Sequence, residues 1–405
     1  MRYLSLLFPL LLSAQQITLV DENTHKPLVK AQFIQNHKLT LSDANGSVTF
    51  EPSKTKTIRV KAYGYRPFKW DVNNTATQLE IEPIKVKGLY LSFWGASPKS
   101  KTYANAIKLL ETTEANALII DVKSEQGMMS YKTDVKEASA MDAHYNRTIK
   151  KIVPYMKTLK EKKIYTIARI VCFKDELSAK KHPDRAVKGS DGTIWRNAAK
   201  MAWVDPFNPE AQDYIISIAV DAAQKGFDEI NFDYVRFPAK SSLVFSQENN
   251  QDNRLKAIEH FIKKASLRLR PYGVFLSVDT YGYVAWDTKT DTNIGHKTEV
   301  LAKYADYLAP MLYPSGFNKG ILGIEDPSQE PYRIVKATLL KMQKQVDPVR
   351  VRPWLQYFKD YAFSRKHYND FEVKEQIRAS DDTNCSGWLL WNPSSRYNRG
   401  GLKHN

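Results

Sequence analysis

The sequence predicts an α/β protein, a (β/α)₈ TIM barrel preceded by a small all-β sandwich domain. Residues 87–398 contain eight strand-like apolar runs that alternate with helix-periodic stretches, and eight strands close such a barrel. Polar residues stand at the C-terminal ends of nearly all eight runs, and no Gly-rich phosphate loop follows any of them, which disfavours a doubly wound open sheet. Residues 16–84 show only short alternating runs and no long helical pattern.

The first 14 residues have the layout of a secretory signal peptide. Arg2 precedes an apolar run at 4–12 that is too short to span a bilayer, and small residues follow it. We therefore expect residues 1–14 to be a signal peptide and the protein to be secreted or periplasmic in a bacterium. Leu12 fits poorly three residues before a cut after Ala14, so an uncleaved anchor is the alternative.

The region 16–84 is predicted to form an antiparallel sandwich. Its short runs, such as "ITLVD" and "SVTFEP", are separated by turn-forming stretches, and in "DANGS" the Asn-Gly pair supplies the positive backbone angles of a tight hairpin. The stretches "VDENTHKPLVKAQF", "LSDANGSVTFEP" and "VKAYGY" resemble the carboxypeptidase regulatory-like domain. This resemblance implies an accessory module without a catalytic role.

The predicted barrel lacks one helix. Its strands are assigned to "GLYLSFW", "ALIIDVK", "YTIARIV", "EINFDYV", "VFLSVDTYG", "YLAPMLYP", "VRPWLQYF" and "GWLLWNP". After the eighth run only residues 394–405 remain, too few for a full eighth helix. Another element, such as the N-terminal sandwich, is expected to cover that flank.

Composition and net charge restrict the kinds of molecule that the protein is expected to bind. The chain of 405 residues is 42% hydrophobic and 26% charged, as in an ordinary folded protein. Its formal net charge of +16 suits a solvated basic surface or an acidic partner such as an anionic glycan. The lysines are scattered along the chain and an export signal is present, so no nucleic-acid partner is expected. Cys172 and Cys385 are far apart in sequence, and we expect packed thiols rather than a disulfide.

The stretch "GFDEINFDYVRFP", residues 226–238, places charged residues in a strand-like run. Strand side chains alternate between two faces, so Asp233 points into the barrel near the end of the strand, where barrel enzymes build active sites. The same alternation points Asp279 inward on the fifth strand. Neighbouring strands lie ~4.8 Å apart, which predicts a carboxylate separation of roughly 5–9 Å, the range used by glycosidases.

Polar and aromatic residues at the other strand ends complete a ring typical of a sugar site, because aromatic rings stack on pyranose faces and polar groups bind hydroxyls. The predicted substrate-binding residues are Trp94, Asp121, Lys123, Arg169, Arg236, Tyr281, Tyr313, Trp354, Gln356, Trp391 and Asn392. Trp286, on the loop after the fifth strand, is expected to shape the cleft with Tyr281.

Each of these residues also has a structural interpretation. Asp233 would then be an ion-pair partner of Arg169 or Arg236, and Asp279 a loop cap or a ligand of a sugar hydroxyl. Asp121 would form a supporting salt bridge with Lys123. The tryptophans would be core residues, and Asp228 and Glu229 would be solvated or paired at the bottom of the barrel.

The sequence offers no motif for metal or cofactor chemistry. The eight histidines are dispersed, without His-x-His, His-Glu-x-x-His or a cysteine cluster, so no metal site is predicted. No Gly-x-Ser-x-Gly elbow is present, which argues against an α/β-hydrolase triad. No cofactor is expected, and paired carboxylates remain as the source of chemistry.

The barrel region resembles a bacterial glycoside hydrolase family long catalogued as a domain of unknown function. The resemblance rests on "KGLYLSFWGA", "NALIIDVKSEQGMMSY", "ARIVCFKDELSAKKHPDRAV", "WVDPFNPEAQDYIISIAVDAAQKGFDEINFDYVRFP" and "APMLYPSGF". The family is distantly similar to the alpha-amylase and alpha-galactosidase clans, which implies that Asp233 is the nucleophile and that the acid lies on a later strand. A glutamate is the usual acid in the amylase clan, whereas this chain offers Asp279, with Asp121 as the next candidate.

The expected function is hydrolysis of glycosidic bonds in an extracytoplasmic polysaccharide or oligosaccharide. An anionic glycan is one candidate for this substrate. Asp233 would be kept ionised by Arg169 or Arg236, and the pKa of Asp279 would be raised by Val278, Tyr281 and Asp233. Neighbouring strands favour the shorter carboxylate distance and hence retention of anomeric configuration. The alternative is a non-catalytic barrel that binds glycan or cell-wall polymer.

Overall fold

The computed structural model describes residues 15–35, 37–50, 57–72 and 76–405. The predicted signal peptide, residues 1–14, lies outside the described residues. The chain divides into two compact units, Met1–Ile84 and Lys85–Asn405. Among the described residues, no helix has the length and apolar character needed to cross a membrane.

The described part of the first unit consists of short β-strands. They are β1 (Gln15–Asp21), β2 (Gln32–Gln35), β3 (Lys38–Leu41), β4 (Ser47–Phe50), β5 (Thr57–Lys61), β6 (Phe68–Asp71) and β7 (Gln78–Ile81). One sheet has the strand order β4-β1-β7 and the other β3-β2-β5-β6. Rings from both sheets meet in one core, because Phe50 lies 5.4 Å from Phe33 and 5.5 Å from Trp70 between ring centroids. The predicted all-β sandwich is confirmed.

Two details of this unit differ from the prediction. β1 and β7 are parallel, with Leu19 opposite Leu79, because β7 returns to the edge of the first sheet after the chain has built most of the second. Gly46 does adopt a positive φ of 72°, and a Cβ there would lie 2.5 Å from the carbonyl oxygen of Leu19. The turn at Gly46 joins β3 to β4, which lie in different sheets, so it is not the predicted hairpin.

The second unit is a closed barrel of eight parallel strands, which confirms the predicted fold class. Each strand pairs in parallel with the next along the chain, and the last pairs with the first. The strands are β8 (Val86–Leu91), β9 (Ala117–Lys123), β10 (Tyr165–Val171), β11 (Glu229–Asp233), β12 (Phe275–Tyr281), β13 (Tyr307–Leu312), β14 (Trp354–Gln356) and β15 (Gly387–Trp391).

A helix stands between every two consecutive barrel strands. The α-helices are α1 (Lys101–Thr112), α2 (Lys136–Ala140), α3 (Ile152–Glu161), α4 (Glu176–Lys181), α5 (Pro209–Gln224), α6 (Gln251–Leu269), α7 (Thr298–Leu301), α8 (Pro331–Met342) and α9 (Asp370–Asp381). Short 3₁₀ helices occupy Pro183–Arg185, Arg270–Tyr272, Gly282–Ala285, Pro314–Gly316, Ile321–Gly323, Pro327–Gln329 and Pro348–Arg350.

The described residues after β15 form no helix, as the sequence predicts. This segment instead runs back along the end of α1, where the amide of Glu114 donates to the carbonyl of Lys403 at 2.8 Å. Leu402 is buried there, and His404 forms a bridge with Thr113. The expectation that the sandwich covers this flank stays a prediction.

Alternation along β11 sets the orientation of the side chains that matter most. Phe232 packs against Phe261 of α6 with 5.1 Å between ring centroids, and Ile230 is fully buried. Burying such a side chain contributes about 1.5–3 kcal/mol, so the apolar pair fixes the outward face of the strand. Asn231 and Asp233, on the other face, therefore point into the barrel.

The N-terminal end of the barrel interior is closed by an ion pair. Glu229 accepts hydrogen bonds from Arg352 Nη1 at 2.7 Å and from the Tyr165 hydroxyl at 2.8 Å. The Arg352 guanidinium also lies 4.2 Å from the ring centroid of Tyr307. Asp228 is paired as well, with Lys160. Both acidic residues at the start of β11 are thus partnered at the bottom of the barrel.

Candidate active site

A cavity of about 720 Å³ opens at the C-terminal ends of the barrel strands. Most of the residues predicted from sequence line this one cavity. The predicted residues found in its wall are Trp94, Asp121, Arg169, Asp233, Arg236, Asp279, Tyr313, Trp354 and Trp391. The structure therefore brings together both predicted carboxylates and most of the predicted ring.

Lys123 and Gln356 lie in the protein interior instead. The pairing of β9 with β10 shifts after Asp121, and this irregularity turns Lys123 away from the cavity. The Lys123 Nζ instead donates to Val171 O at 2.7 Å and contacts Asp175 at 2.8 Å. The predicted salt bridge between Lys123 and Asp121 is therefore wrong. Gln356 is fully buried and donates to Ser315 Oγ at 2.7 Å, so it fixes a loop.

Two other predicted residues line pockets that adjoin the cavity. Tyr281 lines a pocket of about 110 Å³ that shares Met311 and Tyr313 with the cavity. Asn392 lines a pocket of about 490 Å³ that shares Pro393, and its amide group holds the surrounding turn by donating to Tyr357 O at 2.7 Å.

Trp286 lines none of these three pockets. Its indole N–H donates to Thr338 Oγ1 of α8 at 3.1 Å, and Lys341 of the same helix lies 4.5 Å from its ring centroid. The residue therefore anchors the loop after β12 to the helix layer. The expectation that Trp286 shapes the cleft is wrong.

Asp233 stands at the end of β11 and is held from two sides. Its Oδ2 accepts from Arg169 Nε at 3.1 Å and also from Arg169 Nη2, so the guanidinium binds it in a fork. Its Oδ1 accepts from the amide of Tyr234 at 2.6 Å. Tyr234 has a φ of +50°, a sparsely populated conformation for a residue with a side chain, and such backbone strain concentrates at functional sites.

Asp121 is the second partner of Arg169. It accepts from Arg169 Nη1 at 2.5 Å, from the Tyr90 hydroxyl at 2.6 Å and from the amide of Phe93 at 3.2 Å. Burial raises the pKa of Asp121, and the charge of Arg169 opposes that rise. The guanidinium of Arg169, on β10, therefore bridges carboxylates from β9 and β11, the strands on either side of it.

Asp279, at the end of β12, has neutral partners. Its Oδ1 accepts from Asn231 Nδ2 at 2.7 Å and from the indole N–H of Trp354 at 2.7 Å. Burial, and then the charge of Asp233, raise the pKa of Asp279 well above its usual range, although the two hydrogen bonds oppose the rise. No described residue forms an ion pair with Asp279, so this carboxyl is the one that favours the protonated form.

Aromatic rings form one wall of the cavity. Tyr90 and Trp391 stack with 4.0 Å between ring centroids, and Trp354 meets Trp391 edge-on at 5.5 Å. The Arg169 guanidinium lies 4.9 Å from the centroid of Trp391. Trp94 stands at the wall with 62% of its surface exposed, which leaves its face open to a ligand.

Several residues of the site were missed by the sequence prediction. Tyr90 lies within β8, and Asn231 lies two residues before Asp233 on β11, so the alternation of strand side chains would have found both. Glu125 and Lys174 form an ion pair in the cavity wall, and Lys174 lies 4.7 Å from the ring of Tyr234. Both come from loops, where strand periodicity gives no signal.

The chain is similar to several solved structures. A solved structure from Ruminiclostridium thermocellum ATCC 27405, described as a hypothetical protein, is 33% identical over 47% of this chain and 96% of that chain, with a TM-score of 0.41. The glycoside hydrolase domain of PgaB (BpsB) from Bordetella bronchiseptica is 12% identical over 77% of this chain and 95% of that chain, with a TM-score of 0.57, a likeness of fold. No curated protein matches the chain.

The closed barrel with carboxylates and aromatic rings in one cavity defines a glycoside hydrolase-like domain. The model of a family described as "Putative glycosyl hydrolase domain" matches residues 88–397, most of the chain. The chain belongs to this family, as the resemblance in the sequence implied.

Proposed function

We propose that the protein is a glycosidase that cleaves an extracytoplasmic polysaccharide or oligosaccharide with Asp233 and Asp279. The observation behind this proposal is the difference between the two carboxylates. Asp233 is bound by a guanidinium, while Asp279 has only neutral hydrogen-bond donors and a raised pKa. Glycoside hydrolysis requires one carboxyl group that donates a proton and a second one that acts as nucleophile, and the surroundings of Asp279 and Asp233 suit these two roles.

In the proposed reaction Asp279 is the general acid and base. It donates its proton to the glycosidic oxygen as the bond to the anomeric carbon breaks, and Asp233 attacks that carbon to form a covalent glycosyl-enzyme. Water, deprotonated by Asp279, then releases the sugar from Asp233. Arg169 holds Asp233 in place for the attack and sets a positive charge against it. The sequence had left this partner open between Arg169 and Arg236.

We further propose that the reaction retains the anomeric configuration. Asn231 is paired with Ser277 in the barrel, so Asp233 and Asp279, each two residues further on, stand at the same height on adjacent strands. Adjacent strands lie ~4.8 Å apart, which favours the short carboxylate separation of retaining enzymes. Proton NMR of the first-formed product would show the retained anomer, and an inverted product would refute this part of the proposal.

The substrate and location are proposed on separate grounds. The open face of Trp94 and the stacked wall of Trp391 suit pyranose rings, and the net charge of +16 favours an anionic glycan. The signal-like residues 1–14 support export to the periplasm or the medium. In this proposal the first unit is a carboxypeptidase regulatory-like module that takes no part in the chemistry, and 87–398 is the hydrolase domain.

A glycan-binding barrel without turnover is the second candidate. One observation favours it, because both oxygens of Asp233 already have hydrogen-bond donors, so the ion-pair network is satisfied without a substrate. The purified protein should be incubated with a panel of bacterial cell-wall and capsular polysaccharides while new reducing ends are measured. Release from at least one polymer supports the glycosidase, whereas binding without any release supports the binding barrel.

A further inference from the structure

Arg236 is a cation of the cavity wall with no carboxylate partner among the described residues. Its Nη1 donates to the carbonyl of Phe237 at 3.1 Å, and its guanidinium lies 5.1 Å from the ring centroid of Trp203 and 5.3 Å from that of Tyr234. No ion pair joins it to Asp233, which is bound by Arg169 instead. The sequence-based suggestion that Arg236 keeps Asp233 ionised is therefore not supported by a contact.

The buried arginines of the barrel unit behave differently. Arg169, Arg254 and Arg352 each contact a carboxylate, as in the pair of Arg254 Nε with Asp291 at 2.6 Å. Desolvating a guanidinium is costly unless an anion or hydrogen-bond acceptors replace the lost water. Arg236 is partly buried against two aromatic rings, and burial lowers its pKa, yet most of its N–H donors have no acceptor among the described residues.

The positive lining continues beside the cavity. The adjoining pocket that shares Pro393 has three basic lining residues, Lys359, His367 and Arg396, and no carboxylate in its lining. Within the described part of the chain, none of these three side chains has a hydrogen bond or ion pair. This second observation is independent of Arg236 and indicates the same sign of ligand charge.

We propose that the sugar bound in the cavity carries an anionic substituent, a carboxylate or a phosphate, and that Arg236 binds it. The inference rests on the proposed function for the sugar itself. A guanidinium presents parallel N–H donors that fit either group in a fork. The rings of Trp203 and Tyr234 fix the plane of the guanidinium, so Arg236 selects the charged sugar while Asp233 and Asp279 act on the glycosidic bond.

The test measures binding of matched sugars to the full-length protein by ligand-observed NMR titration. The pairs are glucuronate with glucose, galacturonate with galactose, N-acetylmuramate with N-acetylglucosamine, and glucose 6-phosphate with glucose. We expect at least one acid to bind about tenfold or more tightly than its neutral partner, the range expected for hydrogen bonds to a charged group. The pair that shows the preference distinguishes carboxylate from phosphate.

Arg236→Gln should reduce that preference at least about fivefold. Arg236→Lys keeps the charge but loses the parallel N–H donors, so its preference should lie between those of the parent and Arg236→Gln. Arg268→Gln is the matched control, because it removes the same charge from an exposed position of α6 that lines none of the three pockets. Thermal melting of each variant verifies folding, and Arg236→Lys keeps the test decisive if Arg236→Gln does not fold.

Three outcomes would overturn the inference. They are equal binding of acids and neutral sugars, no binding of any acid, and a preference that is unchanged in both folded Arg236 variants. These outcomes are distinct from a failure of the proposed function. An acid preference without hydrolysis of any polymer would refute the glycosidase and leave the anion site standing. Hydrolysis of neutral glycans without any acid preference would do the reverse.

Discussion

The barrel interior contains two buried clusters of charged residues that differ in their balance of negative and positive groups. At the bottom, Glu229 meets Arg352, one negative and one positive group, and the neighbouring Tyr165 and Tyr307 close the space around them. At the top, Arg169 pairs with Asp121 and Asp233, and Asp279 lies in the same cavity without a cationic partner among the described residues. The lower cluster is balanced in charge, and the upper one has an excess of acid.

This difference shows which buried charges signal chemistry. A matched ion pair can be retained for structure alone, so burial of a charge is weak support for a catalytic role. An unbalanced cluster in a cavity forces one acid to keep its proton, and the raised pKa of Asp279 follows from that crowding and from burial. The comparison predicts that changes at the top alter turnover and changes at the bottom alter stability.

The largest effect is expected from Asp233→Asn, which removes the proposed nucleophile but keeps its shape. Turnover should fall by on the order of 10⁴-fold or more, since nucleophile removal in covalent catalysis has effects of that size. Binding of substrate should stay within about threefold, because the amide preserves the volume of the carboxylate. Initial rates and equilibrium binding on the same polymer measure the two quantities.

The control for this variant is Asp228→Asn at the opposite end of the same strand. Asp228 accepts from the amide and hydroxyl of Thr166, each at 2.9 Å, and is remote from the cavity lining. It should keep normal turnover per folded molecule. If Asp233→Asn retained turnover within tenfold of the parent, Asp233 would not be the nucleophile.

The next effect is expected from Asp279→Ala and depends on the leaving group. General acid catalysis contributes about 10²–10⁴-fold, so hydrolysis of a glycan with a poor leaving group should slow by that factor. Aryl glycosides with an acidic phenol leave without protonation and should slow much less in the bond-breaking step. Rates on both substrate types measure the difference.

Equal slowing of both substrates, or of neither, would show that Asp279 is not the acid. Asp121 would then be tested next, because burial raises its pKa as well, although the adjacent Arg169 makes it the weaker candidate. Glu125, which forms an ion pair with Lys174 in the cavity wall, is a further carboxylate to substitute.

At the bottom of the barrel, Arg352→Met should leave Glu229 buried without its cation. Breaking a buried ion pair in this way costs about 3–5 kcal/mol of unfolding free energy, measured by chemical denaturation. The double variant Glu229→Leu with Arg352→Met should recover most of that loss, because the unpaired charge is gone. Turnover per folded molecule should stay within about twofold of the parent. A large loss of turnover in the folded double variant would contradict the prediction that changes in the lower cluster alter stability and not turnover.

The sequence was sufficient for the features set by local periodicity. The two-residue alternation of β11 is imposed by Ile230 and Phe232 against the helices, and it predicts the inward direction of Asp233 without any knowledge of the neighbours. The same rule predicts Asp279 on β12. Both thiols are also buried and free, as expected for Cys172 and Cys385.

Features that depend on register or on long-range pairing were not predictable. The shift between β9 and β10 turns Lys123 to Asp175, and a single-strand pattern contains no sign of it. The choice of Arg169 over Arg236 as the partner of Asp233 is likewise set by how two strands align. The parallel pairing of β1 with β7 depends on the path of the whole first unit.

The smallest effect is expected from Trp354→Phe, which changes the pKa of Asp279 without removing the acid. The Trp354 N–H donates to Asp279 and lowers its pKa, because it stabilises the ionised form. Without that bond the pKa of Asp279 should rise further, because one donor that stabilises the ionised form is lost. A general acid works while protonated, so activity falls as pH rises through its pKa, and the alkaline limb of the kcat/KM profile should move to higher pH in the variant. Asn231 still donates to the same oxygen, so the plateau should change little. The control is Trp391→Phe, which removes no donor from Asp279 and should leave the alkaline limb in place. If the limb moved to lower pH or did not move in Trp354→Phe, the limb would not report the pKa of Asp279.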